Sequence, residues 1–277
     1  MSAICSIGTA SKKDVIAMMS LNGKIALVTG GSQNFGEEIA AGLAEAGARV
    51  IITSRDPVKV TRAANRLNET HPGMIIPKSM DLCDEQSIIA LFAEIKAEFG
   101  RLDILVNNAG GHSKEACGFL ERETLAGWNA FIDTNLTGTF LMIREYSRLM
   151  MPQQGGCIVN IASISSLLGR DRSVYPEGMT PNPIAYTAAK AGIIGLTYDA
   201  AAYLGAYGIR VNVISPGGFE RTQPEEFIRA YSERTMLGRM GKQGHDLKGV
   251  VVFLASEAAD YITGHNLYVD GGFTKFK

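Results

Sequence analysis

The chain has 277 residues, 46% hydrophobic and 20% charged, with 27 Lys and Arg against 28 Asp and Glu and a formal net charge of -1. That length suits one large α/β domain, and that balance of apolar and charged residues excludes a disordered chain. No block of Lys or Arg marks a nucleic-acid surface and no apolar run is long enough to span a bilayer, so neither nucleic acid nor membrane is expected as a partner.

In chain order, residues 1–20 (MSAICSIGTASKKDVIAMMS) read as a loose arm with one short helix. They lack the charged start and long apolar core of a signal peptide. Residues 24–28 (KIALV) form a strand that runs into Thr29-Gly30-Gly31-Ser32-Gln33-Asn34-Phe35-Gly36. A helix is predicted over 37–46, with Ile39, Ala40 and Leu43 on its buried face, and a second strand over 49–53. Parallel pairing in such a β-α-β unit puts the glycine-rich turn at the carboxyl edge of the first strand. The bare N–H groups of the following helix suit a pyrophosphate. A tight turn of small residues is the plainer explanation, but strand, glycine turn and helix in that order favour a nucleotide.

The alternation continues. Residues 74–80 form a strand ending at Asp81, and 85–99 a helix with Ile88, Ile89, Phe92, Ile95 and Phe99 at helical spacing. A strand over 104–106 ends in Asn107-Asn108-Ala109-Gly110, and a helix near 128–148 carries Asn135. A strand over 157–161 ends in Ala162-Ser163, and one over 210–214 ends in Ser215-Pro216-Gly217-Gly218. A helix over 248–256 and a strand over 266–269 close the chain before Asp270-Gly271-Gly272. Strand ends of this kind are where ligands bind in an open α/β sheet. No internal boundary interrupts 21–277, which reads as one catalytic domain. Cys5, Cys83, Cys117 and Cys157 lie far apart with no C-x-x-C pair, as expected of free thiols in a reducing cytoplasm. His71, His112, His245 and His265 have no metal-ligand spacing, and no metal site is expected.

Between Ser163 and the 210–214 strand lies NPIAYTAAKAGIIG (182–195), a helix with Tyr186 and Lys190 on one face. A phenol normally titrates near ~10. A neighbouring ammonium favours the phenolate, so the spacing predicts a Tyr186 whose pKa is lowered toward neutrality. Alone, the pair also fits the solvent edge of an amphipathic helix.

Taken together, Thr29-Gly30 to Gly36, Asp81, Asn107 to Gly110, Asn135, Ser163, Tyr186-x-x-x-Lys190, Pro216-Gly217 and Val269-Asp270-Gly271-Gly272 resemble the short-chain dehydrogenase/reductase family. The resemblance runs over 21–274 and implies an α/β fold: a single-domain Rossmann-type doubly wound parallel sheet of about seven strands with helices on both faces. It implies that Tyr186 passes a proton to or from the substrate oxygen as hydride moves on the nicotinamide. Lys190 would hold the nicotinamide ribose, Ser163 would hydrogen-bond the substrate oxygen, and Asn135 would hold a water linking Lys190 to solvent. Cofactor contacts are implied for Gly30, Ser32, Gln33, Asn34, Phe35 and Gly36 at the turn. The adenosine end would meet Asp81, Leu82, Asn108, Ala109 and Gly110, and the nicotinamide end Pro216, Gly217 and Phe219.

Three departures stand out. Asn34 occupies the middle glycine position of the T-G-x-x-x-G-x-G turn, and Asn is the side-chain-bearing residue that best tolerates φ > 0. A long gap separates Ser163 from Tyr186, and Arg170 and Arg172 within it are candidates for a carboxylate or polyhydroxylated substrate. Arg221 stands where the family commonly has Thr, and is a third candidate for the substrate. The stretch 220–237 reads as a mobile lid, charged and without a strong apolar stripe.

Enzymes of this type that prefer NAD place an acid at the end of the second strand. Here Ser54 and Arg55 follow it, which favours NADP(H), with NAD(H) possible. The resemblance is greatest to members acting on sugars, sugar acids or polyols, such as gluconate 5-dehydrogenase-like enzymes. The expected activity is a cytoplasmic oxidoreductase interconverting a secondary alcohol and a ketone on a small polar molecule. A 3-oxoacyl thioester reductase and a non-catalytic dinucleotide sensor are the alternatives. The family resemblance also implies a homo-oligomer, tetramer or dimer, packed through 253–272.

Overall fold

The computed structural model describes residues 14–110 and 118–276. Cys5, His112, Cys117 and most of the N-terminal arm lie outside the described residues. Of the arm, the short helix α1 (Val15–Met18) is described, with Asp14 accepting a bond from the Ala17 amide.

Apolar four- to eight-residue runs form the core of a parallel sheet. β1 (Ile25–Val28), β2 (Arg49–Ser54), β3 (Ile75–Ser79), β4 (Ile104–Asn107), β5 (Gly156–Ile161), β6 (Ile209–Pro216) and β9 (Asn266–Val269) pair in the order β3-β2-β1-β4-β5-β6-β9. Every pairing is parallel. The order reverses between β1 and β4, and a crevice opens there beyond the strand ends. β7 (Phe219–Glu220) and β8 (Gly241–Lys242) form a separate two-residue ladder.

Helices cover both faces. On one lie α2 (Asn34–Glu45), α3 (Pro57–Asn68) and α9 (Lys248–Ala255), burying Ile39, Leu43, Val60, Leu67, Val251 and Leu254 against the sheet. On the other lie α4 (Glu85–Phe99), α6 (Gly138–Met150) and α7 (Ile184–Leu204), burying Ile88, Ile95, Met142, Tyr146 and Leu204. Start and stop signals are local. Asp56 caps α3 ahead of Pro57, Asp84 caps α4, and Gly100 ends α4 at φ 69°.

The seven strands of the main sheet agree with the sequence-based expectation to within two residues, and β7 and β8 were not expected. The other differences lie in the helices. α2 starts at Asn34, three residues before the expected boundary, so the glycine turn and the first helical turn overlap. α3 was not expected. The helix through Asn135 is α5 (Leu125–Ile132) joined to α6 by a π-helical turn over Asp133–Thr137. The expected lid contains α8 (Glu225–Ser232), and contrary to expectation it has an apolar stripe: Phe227 and Tyr231, one turn apart, are both buried. Among the described residues no helix is long and apolar enough to cross a membrane. No cluster of His, Cys, Asp and Glu among them could hold a metal, and Cys83 and Cys157 are free.

Candidate active site

The ends of β1, β2, β4 and β5 border a cleft of about 600 Å³. The glycine turn forms its floor. Thr29 Oγ1 accepts from the Asn108 and Ala109 amides at 3.0 and 2.9 Å, and Asn108 Nδ2 donates back to Thr29 O at 2.9 Å, tying the ends of β1 and β4 together. Asn34 has φ 50°, in the left-handed region, so the asparagine in place of the family's glycine keeps the turn's shape. At Gly36 a Cβ would overlap Gly30 O and come within 2.6 Å of Asn108 Nδ2. The backbone is therefore closed tightly beneath a groove that ends at the α2 N-terminus, the arrangement a diphosphate requires.

Gly30, Ser32, Gln33, Asn34, Phe35, Ser54, Arg55, Asp81, Leu82, Asn108, Ala109 and Gly110 all line this cleft, with Asn135, Tyr186 and Lys190 at its far end. Gly36, also expected at the cofactor, lies beneath the cleft against Gly30 and Asn108 rather than lining it, and three further expected cofactor residues lie elsewhere. Pro216 ends β6 and lines neither cavity, Gly217 lines a second cavity, and Phe219 is a core residue packed edge-on against Phe35 at 4.7 Å. Lys59 was missed by sequence reasoning. It stands in the first turn of α3, lines the cleft beside Ser54 and Arg55, and donates to Gln33 Oε1.

At the far end Lys190 is only 5% exposed and donates to Ile161 O at 2.8 Å. Its ammonium lies 5.9 Å from the Tyr186 ring centre. Burial pulls the Lys190 pKa down to about 8. Burial also raises the Tyr186 phenol, with hydrogen bonding from Ser163 and the charges of Arg170 and Arg221 pulling it back. This corrects the expectation that Lys190 lowers Tyr186. Helical spacing fixes which face two side chains share, not how deep they lie, and here desolvation is the larger effect on both. Asn135 donates from Nδ2 to Phe131 O at 3.0 Å, while its buried Oδ1 has no hydrogen-bond partner among the described residues. A Cβ on Gly110 would come within 2.7 Å of that oxygen and 3.6 Å of Lys190 Nζ. A buried acceptor beside an ammonium, on a π-turn, suits a hydroxyl or a water as its partner.

Ser163 ends β5 in extended conformation, and its Oγ accepts from the Ser165 amide and hydroxyl at 3.2 and 3.0 Å. It lines a second cavity of about 260 Å³, which meets the cleft at Tyr186 and Asn182, residues common to both. Its walls are largely apolar: Val174, Tyr175 and Met179 from the long insertion, Phe227 and Tyr231 from α8, then Met240 and Phe273. Tyr231 and Phe273 stack at 4.6 Å, and Tyr175 meets Phe227 at 5.2 Å. Arg170 lines this cavity, donating to Asn182 O and, at 3.4 Å, to Thr187 Oγ1. Arg172 lines neither cavity and donates to Gly118 O. Arg221 lines the cleft rather than the second cavity, so of the three arginines expected at the substrate only Arg170 is there.

Comparison with known proteins identifies the family. The family model for enoyl-(acyl carrier protein) reductases matches residues 30–274. A 3-oxoacyl-(acyl-carrier-protein) reductase of Aquifex aeolicus is 36% identical over 258 residues, 92% of this chain and 98% of the relative. A gluconate 5-dehydrogenase from Burkholderia cenocepacia J2315, solved with NADP and tartrate, superposes with a TM-score of 0.85 at 32% identity, covering 95% of this chain and 100% of the other. A short chain dehydrogenase from Leptospira borgpetersenii with bound NAD+ gives a TM-score of 0.81 at 34% identity, covering 95% and 96%.

Proposed function

The chain belongs to the short-chain dehydrogenase/reductase family and is an oxidoreductase, and from that premise we propose that it uses NADP(H) to interconvert a secondary alcohol and a ketone bearing a compact apolar arm, as in a short 3-oxoacyl compound. The observation that carries this reading is the position of Tyr186, the reactive side chain common to a dinucleotide-shaped cleft and a small, aromatic-walled cavity. The nicotinamide, when bound, supplies or accepts the hydride. The chain's own residues do the rest. Tyr186 gives its proton to the carbonyl oxygen during reduction, and the pKa that burial raises keeps it protonated for that role. Ser163 holds the same oxygen, and Lys190 and Asn135 orient the ribose and a water behind the phenol.

The apolar arm follows from the wall. Val174, Met179, Phe227 and Phe273 offer contact area and no donors for a polyol, the Tyr175 and Tyr231 rings add apolar area with one hydroxyl each, and Ser163, Ser165, Asn182 and Gln223 supply polar groups. Arg170 keeps the sugar-acid reading alive as a second possibility. It is near enough to act on the Tyr186 phenol, and its guanidinium has donors beyond the two in use. NADP(H) rests on Ser54, Arg55 and Lys59, which bring two cations and no acid to the end of β2. Exposed Tyr261 and Tyr268 within 253–272 support self-association into a homo-oligomer, which light scattering would show; a monomer would count against it.

The test follows NADPH absorbance with short 3-oxoacyl thioesters, sugar acids and polyols in parallel. The expected outcome is turnover with the thioesters, reduced by about 10³-fold in Tyr186→Phe while NADPH still binds. Turnover confined to sugar acids, and abolished by Arg170→Met, would move the assignment to the second reading. No turnover with unaltered NADPH binding in both proteins would make the chain a sensor.

A further inference from the structure

Arg221 follows β7, and its side chain reaches back over the glycine turn. Its guanidinium carbon lies 4.4 Å from the centre of the Phe35 ring, and Phe35 is the second residue of α2. The cation is thereby held at the helix end whose first N–H groups have no partner inside the helix. Among the described residues, no acceptor takes a hydrogen bond or ion pair from this guanidinium. Behind it stands Glu38, 4% exposed, whose Oε1 accepts from the Leu247 amide at 3.0 Å and whose Oε2 has no partner. The Glu38 charge acts on Arg221 without forming an ion pair, so it attracts the cation to the turn and leaves its donors free.

We propose that Arg221 grips the bridging diphosphate of the dinucleotide, opposite the α2 amide groups. The proposal rests on the dinucleotide reading of the cleft. A planar guanidinium suits phosphate oxygens two at a time, and stacking on Phe35 orders it in advance. The 2′-phosphate end is a different place, marked by Ser54, Arg55 and Lys59. Arg221 acts on the Tyr186 phenol from the cleft side and is absent from the walls of the second cavity, so it faces the cofactor rather than the substrate arm. The grip also has a structural consequence. The backbone runs on from Arg221 to Gln223, Phe227 and Tyr231, which wall the second cavity, and β7 is held by a ladder of only two residue pairs. Fixing Arg221 on the diphosphate therefore fixes one wall of the substrate site.

The experiment titrates the wild-type protein, Arg221→Met and Arg221→Lys by calorimetry with three ligands. These are 2′,5′-ADP, which lacks the diphosphate; 2′-phospho-ADP-ribose, which has the diphosphate but no nicotinamide; and NADPH. Arg221→Met is expected to weaken the last two alike, by about 10- to 100-fold, and 2′,5′-ADP by less than about threefold, with Arg221→Lys between. The retained 2′,5′-ADP affinity doubles as the folding control. Equal weakening of all three ligands, weakening of NADPH alone, or no weakening would each overturn the proposal. A wild-type protein that binds none of the three, nor NADH, would overturn the dinucleotide reading itself, an outcome distinct from the others.

Discussion

The dinucleotide cleft and the second cavity share Tyr186 and Asn182, yet they are built by opposite means. The cleft is made by backbone: strand ends, the turn around Gly30 and Gly36, and the start of α2, drawn together by Thr29 and Asn108. The cavity is made by side chains from four separated stretches, the insertion after Ser163, α8, and the segments around Met240 and around Phe273. A backbone-built site tolerates little variation in atomic position and much in side-chain identity. A side-chain-built site has the reverse tolerance, so a single substitution should behave differently in each.

The largest expected effect tests the cleft. Gly36→Ala places a methyl group inside contact distance of Gly30 O and 2.6 Å from Asn108 Nδ2, where the backbone cannot retreat without unpairing β1 from β4. NADPH affinity should fall by about 100-fold or more. Phe227→Ala, which removes far more atoms from the cavity wall, should leave NADPH binding within about twofold and act on substrate KM alone, about tenfold. Calorimetry and steady-state kinetics on both variants decide it. Comparable losses of cofactor affinity would erase the contrast.

The same contrast explains what the sequence reveals. Residues 25–28, 104–107 and 156–161 are short apolar runs bounded by polar turns, and sheet burial leaves them no other use. Gly30, Gly36, Tyr186 and Lys190 are recognisable because backbone sterics and helix geometry fix their spacing, whereas Ser163 is reached only through the family resemblance. The cavity walls carry no such spacing. Val174, Phe227 and Phe273 meet only through tertiary packing, and each alone is an ordinary apolar residue. Helix α3 had a usable signal in Asp56-Pro57 followed by Val60, Ala63, Ala64 and Leu67, and without that helix Lys59 had no place at the cleft. The π-turn at Asp133–Thr137 inserts a residue into a helical period that sequence pattern reads as continuous. The depth of Lys190 was likewise illegible, because i, i+4 spacing says nothing of how much protein lies above a helix face.

An intermediate effect sharpens the comparison within the cleft itself. Its outer end is made by side chains: Arg55, and Lys59 bonded to Gln33. The double variant Arg55→Asp with Lys59→Ala should shift the NADP/NAD ratio of kcat/KM by about 10- to 100-fold toward NAD, while the Kd for ADP-ribose, which lacks the 2′-phosphate, stays within about threefold. A ratio left unchanged would mean that neither cation meets the 2′-phosphate.

The smallest expected effect lies on the cavity side, in the contact that fastens the insertion to the region after α8. Arg234 Nε reaches Asp171 Oδ2 at 2.6 Å, and its Nη2 reaches Ser173 Oγ at 3.0 Å. Both partners of the ion pair are more than a third exposed, so the pair is worth at most about 1 kcal/mol, or about fivefold in whatever it supports. Asp171 lies below the usual carboxylate range, first through bonds from the Ser173 hydroxyl and amide and then through Arg234. A depressed folded-state pKa makes the contribution fully present above the unfolded value and lost only as pH falls through the folded one. The contact is thus constant from neutral to alkaline pH, and salt is the variable that tests it. In the wild-type protein, raising the salt from low ionic strength should increase substrate KM by about two- to fivefold, with NADPH affinity corrected for its own salt dependence. Asp171→Asn should start at the higher KM and respond less. If both proteins respond equally, the insertion is held by Val174, Tyr175 and Met179 packing on α8, and the ion pair is incidental to the cavity.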